Sequence, residues 1–165
     1  MKILYYGAAG PQVQLLQLAL RRAGFRPGTT DGIFGQNTLR ALRAFQQRFG
    51  LVPDGVAGKL THAALRPWYT GFVTRRLLPG DSFYRLASVY GTTVAAIAAA
   101  NPSLNPLNLP VGAAVTVPLA FDVVPTEILW CSELVEYVCE GLAARYPFID
   151  SGSIGKSVLG RPSGV

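Results

Sequence analysis

A five-residue stretch that occurs twice decides the fold of the first third of the chain: Asp31-Gly32-Ile33-Phe34-Gly35 and Asp54-Gly55-Val56-Ala57-Gly58. The second copy begins 23 residues after the first. The same three residue types follow each copy at the same spacing, namely Thr38, Ala41 and Leu42, and then Thr61, Ala64 and Leu65. An Asp-Gly pair predicts a tight turn, because glycine accepts a positive φ and aspartate accepts hydrogen bonds from nearby backbone. We therefore expect two equivalent turns, each followed by a helix.

Three helices are predicted around these turns from the spacing of apolar residues. The first has its apolar stripe within residues 13–20 and ends at Gly24. The second has its stripe within residues 39–49. The third is short, from about Lys59 to Leu65, because Pro67 follows and proline disrupts a helix interior. These stripes are typical of a small shared core.

Residues 69–118 follow a different order, which is strand, helix, helix, strand. Strands are predicted at residues 72–75 and 115–117. The first helix has apolar residues at helical spacing from Phe83 to Tyr90 and ends at Gly91. The second helix starts at Val94 and stops at Asn101-Pro102. Candidate N-terminal caps are Asp81 or Ser82 for the first and Thr92 or Thr93 for the second.

The last part of the chain, residues 119–165, predicts one long helix from Glu127 to Arg145 with Thr126 as a candidate cap. Cys131 and Cys139 are eight residues apart. On a helix this spacing is about 12 Å, which exceeds the Cα separation of about 7 Å that a disulfide can span. We expect both cysteines to be free thiols.

Charge changes sign along the chain. Residues 1–68 hold nine Lys or Arg against two Asp, whereas residues 119–165 have a net charge of −3. A basic first segment favours an anionic partner such as peptidoglycan, teichoic acid or nucleic acid, although a solvated surface explains it equally well.

No apolar run reaches the length of a membrane span, and no secretion signal is visible at the N-terminus. Two cysteines and one histidine predict neither a disulfide framework nor a metal cluster.

The residues of the first segment resemble the three-helix peptidoglycan-binding domain. The resemblance covers nearly all of residues 7–66 and includes the doubled Asp-Gly-x-x-Gly with Phe45-Gln46 between the copies. This family is non-catalytic and is commonly attached to cell-wall hydrolases. The motif positions that the resemblance marks are Asp31, Gly32, Phe34, Gly35, Thr38, Asp54, Gly55, Gly58 and Thr61. Turns and core packing explain most of them, so a ligand contact at these positions stays one of two alternatives.

The second segment resembles a LysM domain, through Pro79-Gly80-Asp81-Ser82-Phe83-Tyr84, Tyr90-Gly91, Asn101-Pro102 and Val117-Pro118 among other residues. LysM domains bind chains of N-acetylglucosamine, as in peptidoglycan and chitin. The resemblance implies a sugar groove between two loops, formed by Gly80, Asp81, Ser82, Phe83, Asn101, Pro102, Ser103, Leu104 and Asn105. The alternative is that Asp81 and Asn101 only cap turns and that Phe83 and Leu104 belong to the core.

The third segment resembles the opening of a zinc carboxypeptidase domain, through its helix, Tyr146-Pro147-Phe148 and the stretch from Ser153 to Pro162. Joined to LysM modules, that domain is similar to bacterial γ-D-glutamyl-L-diamino acid endopeptidases. The family's zinc site needs His-x-x-Glu and a later His, and residues 119–165 contain no histidine. The sole histidine, His62, is assigned a structural role. No catalytic residue, metal ligand or cofactor is therefore predicted, and zinc would enter only with a complete carboxypeptidase domain.

These observations predict an α+β protein of several modules: a three-helix unit at residues 1–68, a βααβ LysM unit at 69–118 and a helical remnant at 119–165. The expected function is non-catalytic binding of peptidoglycan or a chitin-like glycan, or the targeting of a wall hydrolase, by a monomer in the cell wall or spore envelope. One alternative is a zinc peptidase acting on peptidoglycan stem peptides, if the chain continues beyond Val165. A second is a basic nucleic-acid-binding protein, which lacks a recognisable stacking platform.

Overall fold

The computed structural model describes residues 2–149 and the backbone of two short strands, 153–156 and 162–164. The elements in chain order are α1 (Pro11–Arg22), α2 (Gln36–Arg48), α3 (Lys59–Thr70), β1 (Phe72–Arg76), α4 (Phe83–Tyr90), α5 (Val94–Ala100), β2 (Ala114–Pro118), α6 (Ser132–Arg145), β3 (Ser153–Lys156) and β4 (Pro162–Gly164). They form two compact units. The first comprises residues 2–69 with 124–135, and the second comprises residues 70–123 with 136–149 and the two short strands. This arrangement of helices with a small antiparallel sheet confirms the predicted α+β class.

The first unit is built from α1, α2 and α3 around the two predicted turns. Gly32 and Gly55 both adopt a φ of +78°, which a residue with a side chain rarely adopts, so the turns are equivalent as the repeat predicts. A side chain at Gly55 would also collide with Leu39. The core is made of apolar side chains that are fully or almost fully buried, including Val13, Leu16, Leu20, Phe34, Leu42, Phe45 and Leu65.

Helix α3 is longer than the sequence predicts, because it continues through Pro67 to Thr70. The predicted end near Leu65 is therefore wrong. Proline removes one backbone donor from the helix, but burial of the following turn offsets that loss. Tyr69 has no exposed surface, and its hydroxyl lies 3.0 Å from Nδ1 of His62, one α3 side chain against another.

His62 also anchors the N-terminal segment of the first unit. Its Nε2 lies 3.1 Å from the backbone carbonyl of Lys2. Since a carbonyl only accepts, Nε2 donates there and Nδ1 accepts from the Tyr69 hydroxyl. Burial lowers the pKa of His62 below its ordinary value of 6.5, in keeping with a neutral ring in a structural position.

The second unit has the predicted order of strand, helix, helix and strand. Strands β1 and β2 pair antiparallel, with Phe72 opposite Pro118 and Arg76 opposite Ala114. The predicted caps are confirmed: the Ser82 hydroxyl accepts from the backbone of Arg85, and the Thr93 hydroxyl accepts from the backbone of Ala96, each at 3.1 Å. The hydrophobic core between the helices and the sheet consists of Leu77, Phe83, Leu86, Ala87, Ile97, Val115 and Val117.

Helix α6 begins at Ser132, five residues later than the predicted start at Glu127. The residues before it are held in a non-helical path within the first unit. The Leu129 N–H donates to the side-chain oxygen of Gln14 at 3.1 Å, and Ile128 is buried. A helix beginning at Glu127 would not leave the chain free to make these contacts. Sequence periodicity alone gives no sign of this long-range restraint.

The C-terminal half of α6 is fixed within the second unit by Arg145 and Gly141. Nη2 of Arg145 donates to three backbone carbonyls, those of Leu119 at 2.6 Å, Phe121 at 2.7 Å and Gly71 at 3.2 Å. Gly141 lies against the carbonyl of Thr70 so closely that a Cβ would overlap it. Helix α6 therefore packs against the chain at the ends of β1 and β2, where Gly141 permits a close approach and the half-buried Arg145 guanidinium bonds three carbonyls.

Cys131 and Cys139 are both free and half-buried, as predicted. Burial raises the pKa of the Cys131 thiol, so it stays protonated at neutral pH. Within the described residues, none of the helices is long and apolar enough to cross a membrane.

Candidate functional site

The first unit contains an open cleft of about 170 Å³ beside the first Asp-Gly turn. One wall is the loop that carries Pro27, Gly28 and Thr29, and the other is the start of α2 with Gln36 and Asn37. The rest of the lining is Gln17, Asp31, Ile33, Gly35 and Thr38. The cleft therefore offers hydroxyl, amide and carboxylate groups together with the apolar side chains of Pro27 and Ile33.

The floor of this cleft is organised by Gln17, a buried residue of α1 with only 1% of its surface exposed. Its side-chain oxygen accepts from the backbone of Gly32 at 3.0 Å. Its amide nitrogen donates to Asp31 Oδ1 at 3.0 Å, to the Ile33 carbonyl at 3.0 Å and to Thr38 Oγ1 at 3.1 Å. One amide group thus ties together the turn, the strand-like stretch after it and the first turn of α2.

The second copy of the repeat is organised in the same way by Gln46 of α2. Its side-chain oxygen accepts from the backbone of Gly55 at 2.9 Å. Its amide nitrogen donates to Asp54 Oδ1 at 2.8 Å, to the Val56 carbonyl at 3.0 Å and to Thr61 Oγ1 at 3.2 Å. The sequence repeat is therefore also a repeat of one hydrogen-bond network. Gln46 stands in the Phe45-Gln46 pair between the two copies and Gln17 stands in the apolar stripe of α1, and neither glutamine was predicted to have a role.

The carboxylates of both turns are held in their ionised form. The pKa of Asp31 is lowered, first by the hydrogen bond from the backbone of Ile33 and then by those from Gln17 and Thr29. The pKa of Asp54 is lowered by the backbone of Val56 and by Gln46. Hydrogen bonds to a carboxylate favour its charged form. Neither residue is suited to donate a proton at neutral pH, and both act as acceptors within their turns.

The predicted motif residues of the first unit are therefore engaged in the fold itself. Phe34 is buried in the core, and Thr38 and Thr61 are buried partners of the two glutamines. Gly35 and Gly58 precede α2 and α3. The exposed polar side chains of the cleft outside the motif are Thr29, Gln36 and Asn37, beside the exposed Asp31 and Ile33 of the turn. No repeated pattern marks these three, so the motif did not single them out.

In the second unit, the two predicted sugar loops are residues 80–83 and 101–105. Beyond Arg76 the pairing of β1 with β2 continues at Leu77, which donates to the Ala113 carbonyl at 2.9 Å and accepts from the Gly112 N–H at 2.8 Å. Phe83 and Leu104, one from each loop region, pack in the same hydrophobic cluster. One residue of each loop that the LysM resemblance marks therefore lies in this cluster.

Several side chains of these loops are occupied by local structure. Asp81 Oδ2 accepts from Arg75 Nη2 and from the backbone of Leu78, each at 2.9 Å. Ser82 caps α4, and Phe83 is only 2% exposed. These three residues hold the first loop in shape, which is the structural alternative raised from the sequence.

Asn101 fastens the second loop to the sheet. Its amide nitrogen donates to the carbonyls of Ile97 and Thr116, both at 2.7 Å, and its oxygen accepts from the backbone of Thr116 at 2.9 Å. The side chain therefore pairs with the strand β2 as a further strand would. The loop residues that remain exposed are Gly80, Pro102, Ser103 and Asn105, with Leu104 half-buried.

Among residues 2–149 and the two described strands, no group of three His, Cys, Asp or Glu side chains is placed to hold a metal ion. The polar groups of both candidate sites are amides, hydroxyls, backbone atoms and the carboxylates of Asp31 and Asp81, which are suited to hydrogen bonding with a polar ligand.

Comparison with protein families matches each unit to a known domain. Residues 9–65 match the family of peptidoglycan binding domains, and residues 78–118 match the LysM domain family. The first match spans both Asp-Gly turns and the cleft, and the second spans both candidate sugar loops.

The chain is similar to parts of several named enzymes. A spore cortex-lytic enzyme of Bacillus cereus is 45% identical over 64 residues, which is 39% of this chain and 25% of that protein. An N-acetylmuramoyl-L-alanine amidase, CwlM of Mycobacterium tuberculosis, is 41% identical over 72 residues, which is 44% of this chain and 16% of that protein. The crystal structure of the SleB N-terminal domain matches 39% of this chain and 88% of its own, with 45% identity and a TM-score of 0.38.

The chain thus spans about a quarter of the length of the spore cortex-lytic enzyme it matches. It contains a peptidoglycan binding domain followed by a LysM domain, and it is homologous to spore cortex-lytic enzymes.

Proposed function

We propose that this chain binds peptidoglycan and serves as a wall-binding or wall-targeting protein. The observation that carries the proposal is the tandem of two different wall-binding domains, each with exposed polar groups in a loop region. The cleft of the first unit offers Asn37, Gln36 and Thr29, and the loops of the second offer Ser103 and Asn105. Amides and hydroxyls of this kind can bond the hydroxyl and acetamido groups of an amino-sugar polymer.

Two modest sites on one chain would together retain it on a polymer better than either site alone. When one domain is bound, the second meets a neighbouring stretch of the same strand at a high effective concentration. Affinity for a long polymer should therefore exceed the affinity for a short fragment, without any new contact. A chitin-like glycan is a further candidate ligand for the LysM unit alone. It has no support from the comparisons.

The site of action that we propose is the cell wall or the spore envelope. The relatives named as spore cortex-lytic enzymes support this location. The basic first segment, with a net charge of +7 over residues 1–68, would favour an anionic wall polymer in the same place.

Metallopeptidase activity is not favoured by any observation. The matched residues end at 118, so the carboxypeptidase resemblance of residues 119–165 has no support from the comparisons. Part of the stretch on which that resemblance rests also lies outside the described residues. Addition of zinc and a stem peptide to the full chain tests this alternative, and turnover would establish it.

The experiment that tests the proposal is co-sedimentation of the full chain with purified peptidoglycan, alongside double-stranded DNA at two salt concentrations. We expect retention on peptidoglycan at both salts and weak DNA binding that disappears at the higher salt. Salt-sensitive DNA binding with no retention on peptidoglycan would refute the proposal and favour the nucleic-acid alternative.

Obstructing substitutions locate the binding surfaces within that assay. Asn37→Trp fills the cleft and Ser103→Trp covers the second LysM loop, and both residues are exposed, so the fold should tolerate them. The matched controls are Gln47→Trp on α2 and Ser88→Trp on α4, which are exposed away from the cleft and the loops. We expect each obstructing variant to weaken retention and each control to leave it unchanged. Equal retention by all four would mean that the binding surface lies elsewhere.

A further inference from the structure

The N-terminal segment of the first unit is fastened to both copies of the repeat. Leu4 exchanges two backbone hydrogen bonds with Ala57, at 3.2 and 2.8 Å. Gly7 donates to the Phe34 carbonyl at 3.0 Å, and Phe34 donates to the Ala8 carbonyl at 2.8 Å. Phe34 and Ala57 occupy the same position in their copies. The short segment between Leu4 and Ala8 therefore spans the two equivalent turns.

Two tyrosines occupy the middle of this fastened segment. Tyr5 and Tyr6 are 59% and 58% exposed, although Leu4 beside them is buried. The Tyr5 carbonyl accepts from the backbone of Ala8 at 2.9 Å, which closes the turn. Large aromatic side chains on a backbone held at both ends lose little freedom when a ligand covers them. Both residues also lie outside the stretch matched to the peptidoglycan binding domain.

The segment that carries the tyrosines is joined by its backbone to the edge of the cleft. Ile33, which is 59% exposed, bridges to Ala9 on the N-terminal segment and also lines the cleft. The exposed aromatic side chains of the segment and the polar groups of the cleft, Asn37 among them, therefore belong to neighbouring parts of the same unit.

This combination fits a carbohydrate better than a protein partner or a second copy of the chain. A pyranose ring has an apolar C–H face that stacks on an aromatic ring, and its edge carries hydroxyl groups that bond amides and hydroxyls. A protein interface would instead favour a wider apolar patch than two tyrosines and one isoleucine provide.

We propose that Tyr5 and Tyr6 form a stacking platform for the sugar rings of a glycan strand, one end of which occupies the adjoining cleft. The platform deepens the proposed function and rests on it, since it names the sugar backbone, rather than the stem peptide, as the ligand of the first unit. It also extends the binding surface beyond the matched domain.

Nitration of tyrosine in the wild-type chain tests the platform directly. The full chain is treated with tetranitromethane with and without a soluble tetrasaccharide of alternating N-acetylglucosamine and N-acetylmuramic acid that lacks stem peptides. Mass spectrometry follows the modification of each tyrosine. At a ligand concentration about ten times Kd, nitration of Tyr5 and Tyr6 should slow about tenfold. Tyr146, which is 43% exposed in the second unit, is the internal control and should be unaffected.

Substitution provides the second measurement. The double variant Tyr5→Ala with Tyr6→Ala should weaken binding of the tetrasaccharide by the first unit by roughly tenfold, while the double Phe variant keeps most of the affinity. Tyr146→Ala is the matched control, and unchanged fluorescence of the two tryptophans, Trp68 and Trp130, verifies that the first unit is folded.

The outcomes separate the platform from the function on which it rests. Retention of the wild type on peptidoglycan, with unprotected tyrosines and unchanged affinity of the Ala variant, would overturn the platform and leave the proposed function standing. Failure of the wild type to bind either peptidoglycan or the tetrasaccharide would overturn both. Binding only to fragments that carry stem peptides, again without protection of the tyrosines, would also overturn the platform.

Discussion

Gln17 and Gln46 organise equivalent hydrogen-bond networks, so we expect the same substitution to cause a similar loss of stability at both positions. Gln17→Met and Gln46→Met each replace the amide with an apolar side chain of similar length. In both variants the buried N–H of the turn glycine loses its acceptor. The threonine at the start of the next helix keeps a longer bond to another backbone carbonyl, that of Pro27 at 3.3 Å or that of Val56 at 3.4 Å.

The magnitude follows from the groups left without a partner. A buried donor without an acceptor costs about 1–3 kcal/mol, and the remaining bonds are partly replaced. We therefore expect each substitution to lower the free energy of unfolding by about 2 kcal/mol, a large share of the total stability of a small domain. With a urea m-value of about 1–2 kcal/mol/M, the midpoint should fall by roughly 1–2 M. Because the two networks are equivalent, the two losses should be similar.

The assay is urea unfolding followed by tryptophan fluorescence. Both tryptophans, Trp68 and Trp130, belong to the first unit, so the signal reports on that unit. Gln47→Met is the matched control, because Gln47 is an exposed residue of α2 and its substitution should change stability by less than about 0.5 kcal/mol. The reasoning is refuted if Gln17→Met and Gln46→Met behave like this control.

Three further predictions concern other features of the fold. Because burial lowers the pKa of His62, the unfolded chain binds more protons than the folded chain as the pH falls below 6.5. The urea midpoint should therefore fall as the pH drops from 7.5 to 5.5, and His62→Gln should flatten this pH dependence. If the pH dependence persists in the variant, another group causes it. Asn101→Ala removes the hydrogen-bond partners of the Thr116 N–H and C=O and should lower the free energy of unfolding by about 2–4 kcal/mol. The Thr116 amide should then exchange its hydrogen faster. Unchanged exchange would mean that water replaces the asparagine. On an exposed helix face, Gly→Ala would stabilise the protein by about 0.5–1 kcal/mol. At Gly141 the new Cβ would overlap the Thr70 carbonyl, so we expect Gly141→Ala to lower the melting temperature. A higher melting temperature would show that α6 and Thr70 do not pack closely.

Features that depend on a few neighbouring residues could be predicted from the sequence. The Asp-Gly turns, the caps at Ser82 and Thr93 and the end of α4 at Gly91 all appear in the structure. Each is decided within about four residues, by the φ that glycine permits or by a hydroxyl that reaches a helix N-terminus. Local chemistry of this kind is visible in a single sequence.

Features that depend on distant partners could not be predicted in the same way. Gln14 holds the backbone of Leu129, 115 residues away, and thereby delays the start of α6. Burial of Tyr69 carries α3 past a proline. In both cases a tertiary contact outweighs the local helix preference, and the spacing of apolar residues does not predict that contact.

The residues that carry a recognisable motif and those available to a ligand are largely different sets in this chain. The carboxylate of Asp81 accepts from Arg75 and from the backbone of Leu78, and the side-chain amide of Asn101 is hydrogen-bonded to the backbone of β2. Substituting such residues would change folding and binding together, so a loss of binding would say little about contact with the ligand. Exposed neighbours such as Ser103 and Asn37 can be obstructed while these internal bonds stay intact. The binding surface of each domain is therefore best located through residues that no motif marks.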